Sequence, residues 1–415
     1  YSLFPKTKMF NKITLRNYRT HKSTTLELKP ITLLIGNNGS GKTNFLSGIQ
    51  HFSQLIRRGN PFKQQDRTVL AKDYFPHRYR LANDEDFMSV EIEWSHNNHF
   101  VKYYMELYKN DKFSGNVGCK EKLELKSEST SNPLEFNSGY KKETNSIELR
   151  SKISNYQHIK TDTKEFVNDF FRDFANTFSY HLQPSFLKGI AVVSRERENP
   201  AYLGHEGSEL SELICLLKNQ DEKAYSRFLK LIRSFDNNKE FEGVSRDNSQ
   251  FWWEFDLGKV RGDRLIEKFP TDAISNGFLK AAAIAFLASA VSSPALILIE
   301  EIENGINPGN LQELFYWLWQ TTSPRRKDIT VQLIVTSHSP AVLREFNENL
   351  DSVYIFALHK RNYETQVTNL TESLDFKKDI GLLEGELIEE EFNGERFLHI
   401  PKYRLAELWY SGSIG

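Results

Sequence analysis

Residues 31–44 read Ile-Thr-Leu-Leu-Ile-Gly-Asn-Asn-Gly-Ser-Gly-Lys-Thr-Asn, and this stretch decides the fold. The aliphatic run predicts a buried strand, and Gly36-Asn37-Asn38-Gly39-Ser40-Gly41-Lys42-Thr43 then fits the pattern G-x-x-x-x-G-K-[ST]. Small residues here let successive backbone N–H groups close around a phosphate at a helix N-terminus. Lys42 can reach the β- and γ-phosphates of a nucleoside triphosphate, and the Thr43 hydroxyl can ligate Mg²⁺. Phe45, Ile49, Phe52 and Ile56 follow at spacings of four, three and four, which predicts one apolar face of a helix. The candidate nucleotide-binding residues therefore run from Gly36 to Asn44.

Upstream, KITLRNY (12–18) and STTLELK (23–29) predict two strands. Far downstream the alternation resumes: a helix at 278–291, the strand ALILI (295–299), a helix at 309–320, the strand TVQLIVTS (330–337), a helix from Pro340, and SVYIFAL (352–358) as a last strand. This is α/β patterning, a mostly parallel sheet with helices against it. The core is thus expected from residues 9–58 and 265–360, with 59–264 inserted and 361–415 as a tail. In the insertion, Val90, Ile92 and Trp94 alternate toward Val101, Tyr103 and Met105 across a turn, as an antiparallel hairpin does. The Lys-, Glu-, Ser- and Asn-rich segment 109–164 predicts loops and exposed elements. Phe166–Phe178 and Glu209–Phe235 predict helices, and GIAVVS (189–194) and FWWEFDL (251–257) predict strands, with no sustained heptads and no internal repeat.

Composition bounds the function. Among 415 residues, 39% are hydrophobic and 26% charged, which excludes a disordered chain. A net charge of −1 excludes a global pull toward nucleic acid or anionic membranes, so such binding needs a local patch. Cys119 and Cys215 are too few for a disulfide framework and match no metal-ligand spacing, so a cytoplasmic home is expected. The uncharged run Ala281–Ile299 is broken by Ser292-Ser293-Pro294, which predicts a helix and then a strand, not a membrane span.

Three more elements carry chemistry. ALILI ends in adjacent carboxylates: Glu300 is read toward Mg²⁺ and Glu301 as the group that polarises an attacking water, although alone such a pair is usually a solvated helix start. Thirty-seven residues after Glu301, a second strand ends in Ser337-His338-Ser339, which places the His338 imidazole on the same sheet edge, near a γ-phosphate. Ser275-Asn276-Gly277 precedes a helix; by itself it is a plain N-cap, and in this order it is a second anion site.

These residues resemble the RecF/SMC branch of ABC-type P-loop ATPases, and in particular the OLD-like AAA ATPases of bacterial anti-phage systems. The resemblance rests on ITLRNYRTHKSTTLELKPITLLIGNNGSGKTN, on EEIENGINP and on TSHSP. It implies ATP and Mg²⁺ as ligands, ATP hydrolysis, a signature motif at Ser275-Asn276-Gly277 and a D-loop at Asn307. It also implies a dimer or higher even-numbered assembly, in which the signature of one protomer caps the ATP held by another. The sequence departs from the branch at Glu300, where many relatives carry Asp, at Ala273-Ile274-Ser275, where many carry Leu-Ser, and at Asn307, in the place of Asp or His. No Q-loop glutamine stands out, and slow hydrolysis is expected. OLD-family nucleases add a Toprim domain; here residues 361–415 contain no D-x-D. The resemblance is therefore to stand-alone ATPase subunits of two-component systems such as PARIS or Septu, with a separate Toprim-like or HNH nuclease or toxin as effector. A RecF-like DNA-repair ATPase and an ATP-binding scaffold with little turnover are the rival readings.

One basic cluster, Arg57 to Arg80, holds seven Lys or Arg against two Asp, with Phe62, Tyr74, Phe75 and Tyr79 interleaved. DNA or an acidic trigger protein could dock there, and a solvated face reads equally well. In the tail, Ile400, Tyr403, Leu405, Leu408 and Trp409 predict an apolar helix face that docks either on its own core or on a subunit or effector.

Overall fold

The computed structural model describes residues 8–57, 87–96, 98–110, 116–127, 133–138, 147–155, 159–189, 203–235, 239–248, 250–260, 263–289, 295–322, 331–380, 383, 387–392 and 395–414. At the centre stand six strands in the order Thr365–Asn369, Val353–Leu358, Ile31–Gly36, Gln332–Ser337, Leu296–Ile299 and Thr177–Tyr180. Every neighbouring pair is parallel except the first. Parallel pairs need crossovers, and helices such as Lys42–Arg57 and Leu311–Thr322 lie in the connections. Both sheet faces are covered, so successive residues of each strand go to opposite cores. Ile31, Leu33, Ile35, Ile297, Ile299, Leu333 and Val335 face one; Leu34, Leu296, Leu298 and Ile334 face the other. The strand sequences are continuously apolar for this reason.

The helix Lys42–Arg57 packs into the second core, where Leu46 and Leu55 join the predicted Phe45, Ile49, Phe52 and Ile56. A six-stranded antiparallel sheet completes that core, in the order His21–Glu27, Met9–Tyr18, Phe87–His96, His99–Asn110, Asn116–Ser127, Leu134–Ser138. The aromatic face of helix Thr161–Ala175 closes it, with Phe166 5.0 Å from Trp94 and Phe170 5.4 Å from Tyr103 between ring centroids. The molecule is therefore an α/β, ABC-type arrangement, a mixed, mostly parallel sheet with an antiparallel β-subdomain. Helices Leu210–Gln220 and Glu222–Ser234 and a three-stranded sheet (Phe241–Asp247, Gln250–Val260, Asp263–Pro270) pack against the first core.

Several expectations need correction. Among its described residues, segment 109–164 is not mainly loop: Asn116–Ser127 pairs along its length with His99–Asn110, and Leu149–Asn155 is a helix. Its period-two pattern was hidden by Glu121, which points inward between Cys119 and Leu123 and is fully buried. Glu121 accepts the Tyr103 hydroxyl at 2.8 Å and the N–H groups of Glu148 and Leu149 at 2.8 and 3.0 Å, so an acidic side chain fills an apolar slot and caps a helix. The helix expected over Phe166–Phe178 ends at Ala175, and β-prone Thr177–Tyr180 forms the edge strand beside Leu296–Ile299. The helix expected over 209–235 is two, divided at Asp221, whose carboxylate accepts the Ala224 N–H at 2.9 Å. SVYIFAL is not the last strand, because Thr365–Asn369 pairs antiparallel with it. Of GIAVVS, residues 190–194 lie outside the described residues.

The run Ala281–Ile299 is a helix to Ser289 and a strand from Leu296, and none of the described helices is long and apolar enough to cross a membrane. Both cysteines are free thiols. The tail helix Lys402–Tyr410 docks on its own chain: Ile400, Leu405 and Leu408 share a core with Val342, Leu343 and Phe346, while Tyr403 is exposed.

Candidate nucleotide-binding and hydrolysis site

The loop 36–43 is braced from behind by groups that sequence reading missed. Gly41 has φ +105°, and a Cβ there would collide with the Thr365 hydroxyl, so only glycine fits. That hydroxyl lies 3.0 Å from the Ser40 carbonyl and 2.8 Å from the Thr20 hydroxyl. His21 Nε2 lies 3.0 Å from the Gly41 carbonyl and its Nδ1 2.8 Å from the Thr24 hydroxyl. Burial pushes the His21 pKa down to about 4, against the Gly41 bond, so the ring is a neutral donor to the loop. No local motif marks Thr365 or His21; both are brought to the loop by strand pairing.

Asn37, Asn38 and Gly39 are exposed at the loop tip and Ser40 is buried. The Lys42 ammonium turns into the loop and donates to the Gly36 and Asn37 carbonyls at 2.7 and 3.0 Å and to the Ser40 hydroxyl at 3.3 Å. His338 Nδ1 is 3.5 Å from it. Burial lowers the Lys42 pKa to about 8, opposed by the carboxylates of Glu303 and Glu301. The Asn44 side chain is engaged with Thr20 and Arg19, at 3.1 Å each.

Three adjacent parallel strands bring the remaining groups to this loop, because their C-terminal ends lie on one edge. Thr43 Oγ1 donates to Glu300 Oε2 at 3.1 Å. A hydroxyl and a carboxylate are hard oxygen donors, which fits Mg²⁺. His181, leaving the edge strand, stands beside Glu300 with Nδ1 3.8 Å from Oε2. Glu301 follows with φ +47°, a conformation rare for a side-chain-bearing residue, and its N–H donates to the Thr336 hydroxyl at 3.0 Å. The His338 pKa is lowered, first by burial and then by Lys42, while Glu303 and Glu301 pull the other way.

Glu303 is the acidic residue that sequence reading passed over. Its Oε1 accepts the His338 N–H at 2.8 Å, tying the carboxylate turn to the histidine loop, and its Oε2 is buried without a hydrogen-bond partner. The signal was present as a third glutamate in Glu300-Glu301-Ile302-Glu303, but which of the three reaches the neighbouring strand depends on the turn.

The structure does not bring the expected signature to this loop within one chain. Ser275, Gly277 and Asn307 line a separate recess of about 670 Å³ with Phe235, Phe255 and Phe278. Ser275 Oγ accepts the Phe278 N–H at 3.3 Å, and Asn307 Oδ1 accepts the Gly309 N–H at 2.9 Å; both act as local caps, with Ser275 and Asn276 exposed. Of the basic cluster only Arg57 is described. It donates to the Ala175 and Thr177 carbonyls at 2.7 and 2.9 Å and lies 4.0 Å from the Phe178 ring centroid; residues 58–80 are outside the described residues.

A glycine loop on a buried strand, with carboxylates and a histidine at the ends of the next two parallel strands, defines an ABC-type P-loop ATPase. The chain belongs to the AAA_21 family, "AAA domain, putative AbiEii toxin, Type IV TA system", whose profile matches residues 31–344. It is similar to the DNA replication and repair protein RecF of Leptospira biflexa, 32% identical over 96 residues, 23% of this chain. That match spans 23%, less than a quarter, of the relative's own length. Among solved structures, the SMC head domain from Thermotoga maritima aligns with 87% of this chain and 98% of its own at 10% identity and TM-score 0.39. A Pyrococcus furiosus Smc head bound to the C-terminal domain of ScpA aligns over 90% and 100% at 12% identity and TM-score 0.46.

Proposed function

We propose that this protein binds ATP with Mg²⁺ and hydrolyses it slowly as the sensor subunit of an anti-phage defence complex, controlling a separate effector. The observation that carries the hydrolysis reading is the convergence of Lys42, Glu301, Glu303 and His338 into one electrostatic cluster beside the Thr43–Glu300 pair. The loop N–H groups and Lys42 hold the β- and γ-phosphates. Thr43 and Glu300 would hold Mg²⁺, which supplies charge neutralisation. Glu301 orients and polarises the attacking water, and His338 donates to charge developing on the transferred phosphoryl group. With Glu301→Gln, ATP should remain bound while turnover falls at least ~100-fold, the scale of losing a positioned base. Full turnover in that variant, or its loss in parent and variant alike, sinks the assignment.

Ser275 and Asn276 are exposed, and the recess that Ser275 lines includes no residue of the phosphate loop, which suits a site completed in trans, hence a homo-oligomer of even number. The family description, which calls the domain itself a putative toxin of a Type IV TA system, fits a conflict system, and the separate nuclease or toxin effector rests on the sequence resemblance alone. The RecF match favours a second reading, an ATPase acting on DNA ends or gaps. Co-purification of a Toprim-like or HNH protein supports the first, and ATP-dependent binding to gapped DNA without such a partner supports the second.

A further inference from the structure

Lys280 has no counterpart among the groups assigned above. It lies five residues into the helix that Ser275 caps, on the apolar helix Asn276–Ser289, where its neighbours Leu279, Ala281, Ala282 and Ala283 are fully buried. Lys280 itself is 1% exposed. A lysine is rarely buried without partners, because an ammonium taken out of water loses its hydration. Its hydrogen bonds go to two main-chain carbonyls, Leu182 at 3.0 Å, on the segment leaving the edge strand, and Glu301 at 3.3 Å, and the carboxylates of Glu303 and Glu301 favour its charge.

The second of these is at the residue whose backbone is strained. Glu301 has φ +47°, and such a conformation persists only where its surroundings over-determine it. Its N–H is fixed by Thr336, and its carbonyl is shared by the Asn304 N–H at 2.9 Å and by the Lys280 ammonium. The same helix touches the turn a second time: a Cβ on Gly277 would come within 2.9 Å of the Gly305 carbonyl, so the Ser275-Asn276-Gly277 corner rests directly on the end of the carboxylate turn.

We infer that Lys280 is a positioning residue: it clamps the Glu301 carbonyl so that the Glu301 side chain is aimed at the attacking water, and it makes the aim of that carboxylate depend on the seat of the signature helix in the same chain. A displacement of Ser275–Gly277 by whatever engages them is thereby transmitted to Glu301. This rests on the hydrolysis reading above.

The test uses the full chain with Lys280→Met, which keeps the stem buried and removes the donors, and Lys280→Gln, whose amide can still donate to a carbonyl. Lys280→Met should leave ATP affinity unchanged and lower turnover about 100-fold, the scale of misplacing a reacting group by about 1 Å; Lys280→Gln should recover part of it. Hydrogen exchange should show the Asn304 amide losing protection in Lys280→Met while amides of Gln332–Ser337 keep theirs. Mixing Lys280→Met with Lys42→Ala should restore nothing, since the defect and the intact phosphate loop share one protomer. Unchanged Asn304 protection, or recovered turnover in that mixture, overturns the inference. If the parent hydrolyses no ATP, the functional reading fails and the exchange measurement alone decides the role of Lys280.

Discussion

Acidification should loosen the phosphate loop through His21, and the size of the effect follows from its burial. The ring is fully buried and its native pKa is about 4, against 6.5 for an ordinary histidine. The unfolded chain therefore takes up a proton that the folded chain refuses. The sign follows: this contribution to stability is fully present above about 6.5, is lost as the pH falls through the window down to about 4, and levels off below it. At ~1.4 kcal/mol per pKa unit the ceiling is roughly 3 kcal/mol, and near pH 4.5 the loss should be about 2 to 3 kcal/mol. In His21→Gln the amide can still donate to the Gly41 carbonyl, but it cannot titrate. Urea unfolding of parent and variant near pH 7, 5.5 and 4.5 should give stability differences that shift in favour of the variant as the pH falls. Parallel curves across that window refute the reasoning, because they would mean that His21 is not held neutral behind the loop.

Other outcomes are expected. Lys42→Ala should abolish ATP binding, since the loop N–H groups alone cannot balance a triphosphate; equal affinity by calorimetry in variant and parent counts against it. Ser275→Arg should block turnover without weakening ATP binding to the single protomer, and mixing it with Lys42→Ala should restore part of the activity; no rescue in confirmed heteromers argues against shared sites. Leu405→Ala should destabilise the chain by about 2 to 4 kcal/mol, as buried leucine truncations do, because the tail helix is docked on its own core. An unchanged thermal midpoint would show that the docking carries no stability.

The sequence by itself determined the local pieces. Gly36 to Thr43 can be read without a fold because phosphate binding at a helix N-terminus is a property of consecutive backbone N–H groups. The double-sided core was legible in ITLLI, ALILI and QLIV, since strands covered on both faces are apolar at every position. What failed were averages: a lysine- and glutamate-rich stretch concealed a strand because one inward residue, Glu121, is charged and satisfied by the Tyr103 hydroxyl and by a helix end from elsewhere in the chain. The tertiary structure alone decided which distant groups meet. Thr365 reaches the back of the loop from a strand far away in sequence, His21 from the turn of the hairpin that precedes the loop, and Glu303, not a neighbour of His338 in the chain, takes its N–H because two parallel strands end side by side. Lys280 reads as a misplaced charge on an apolar helix until the sheet turns two carbonyls toward it. Such contacts depend on strand order and on the shape of one turn, and neither is encoded by any short run of residues.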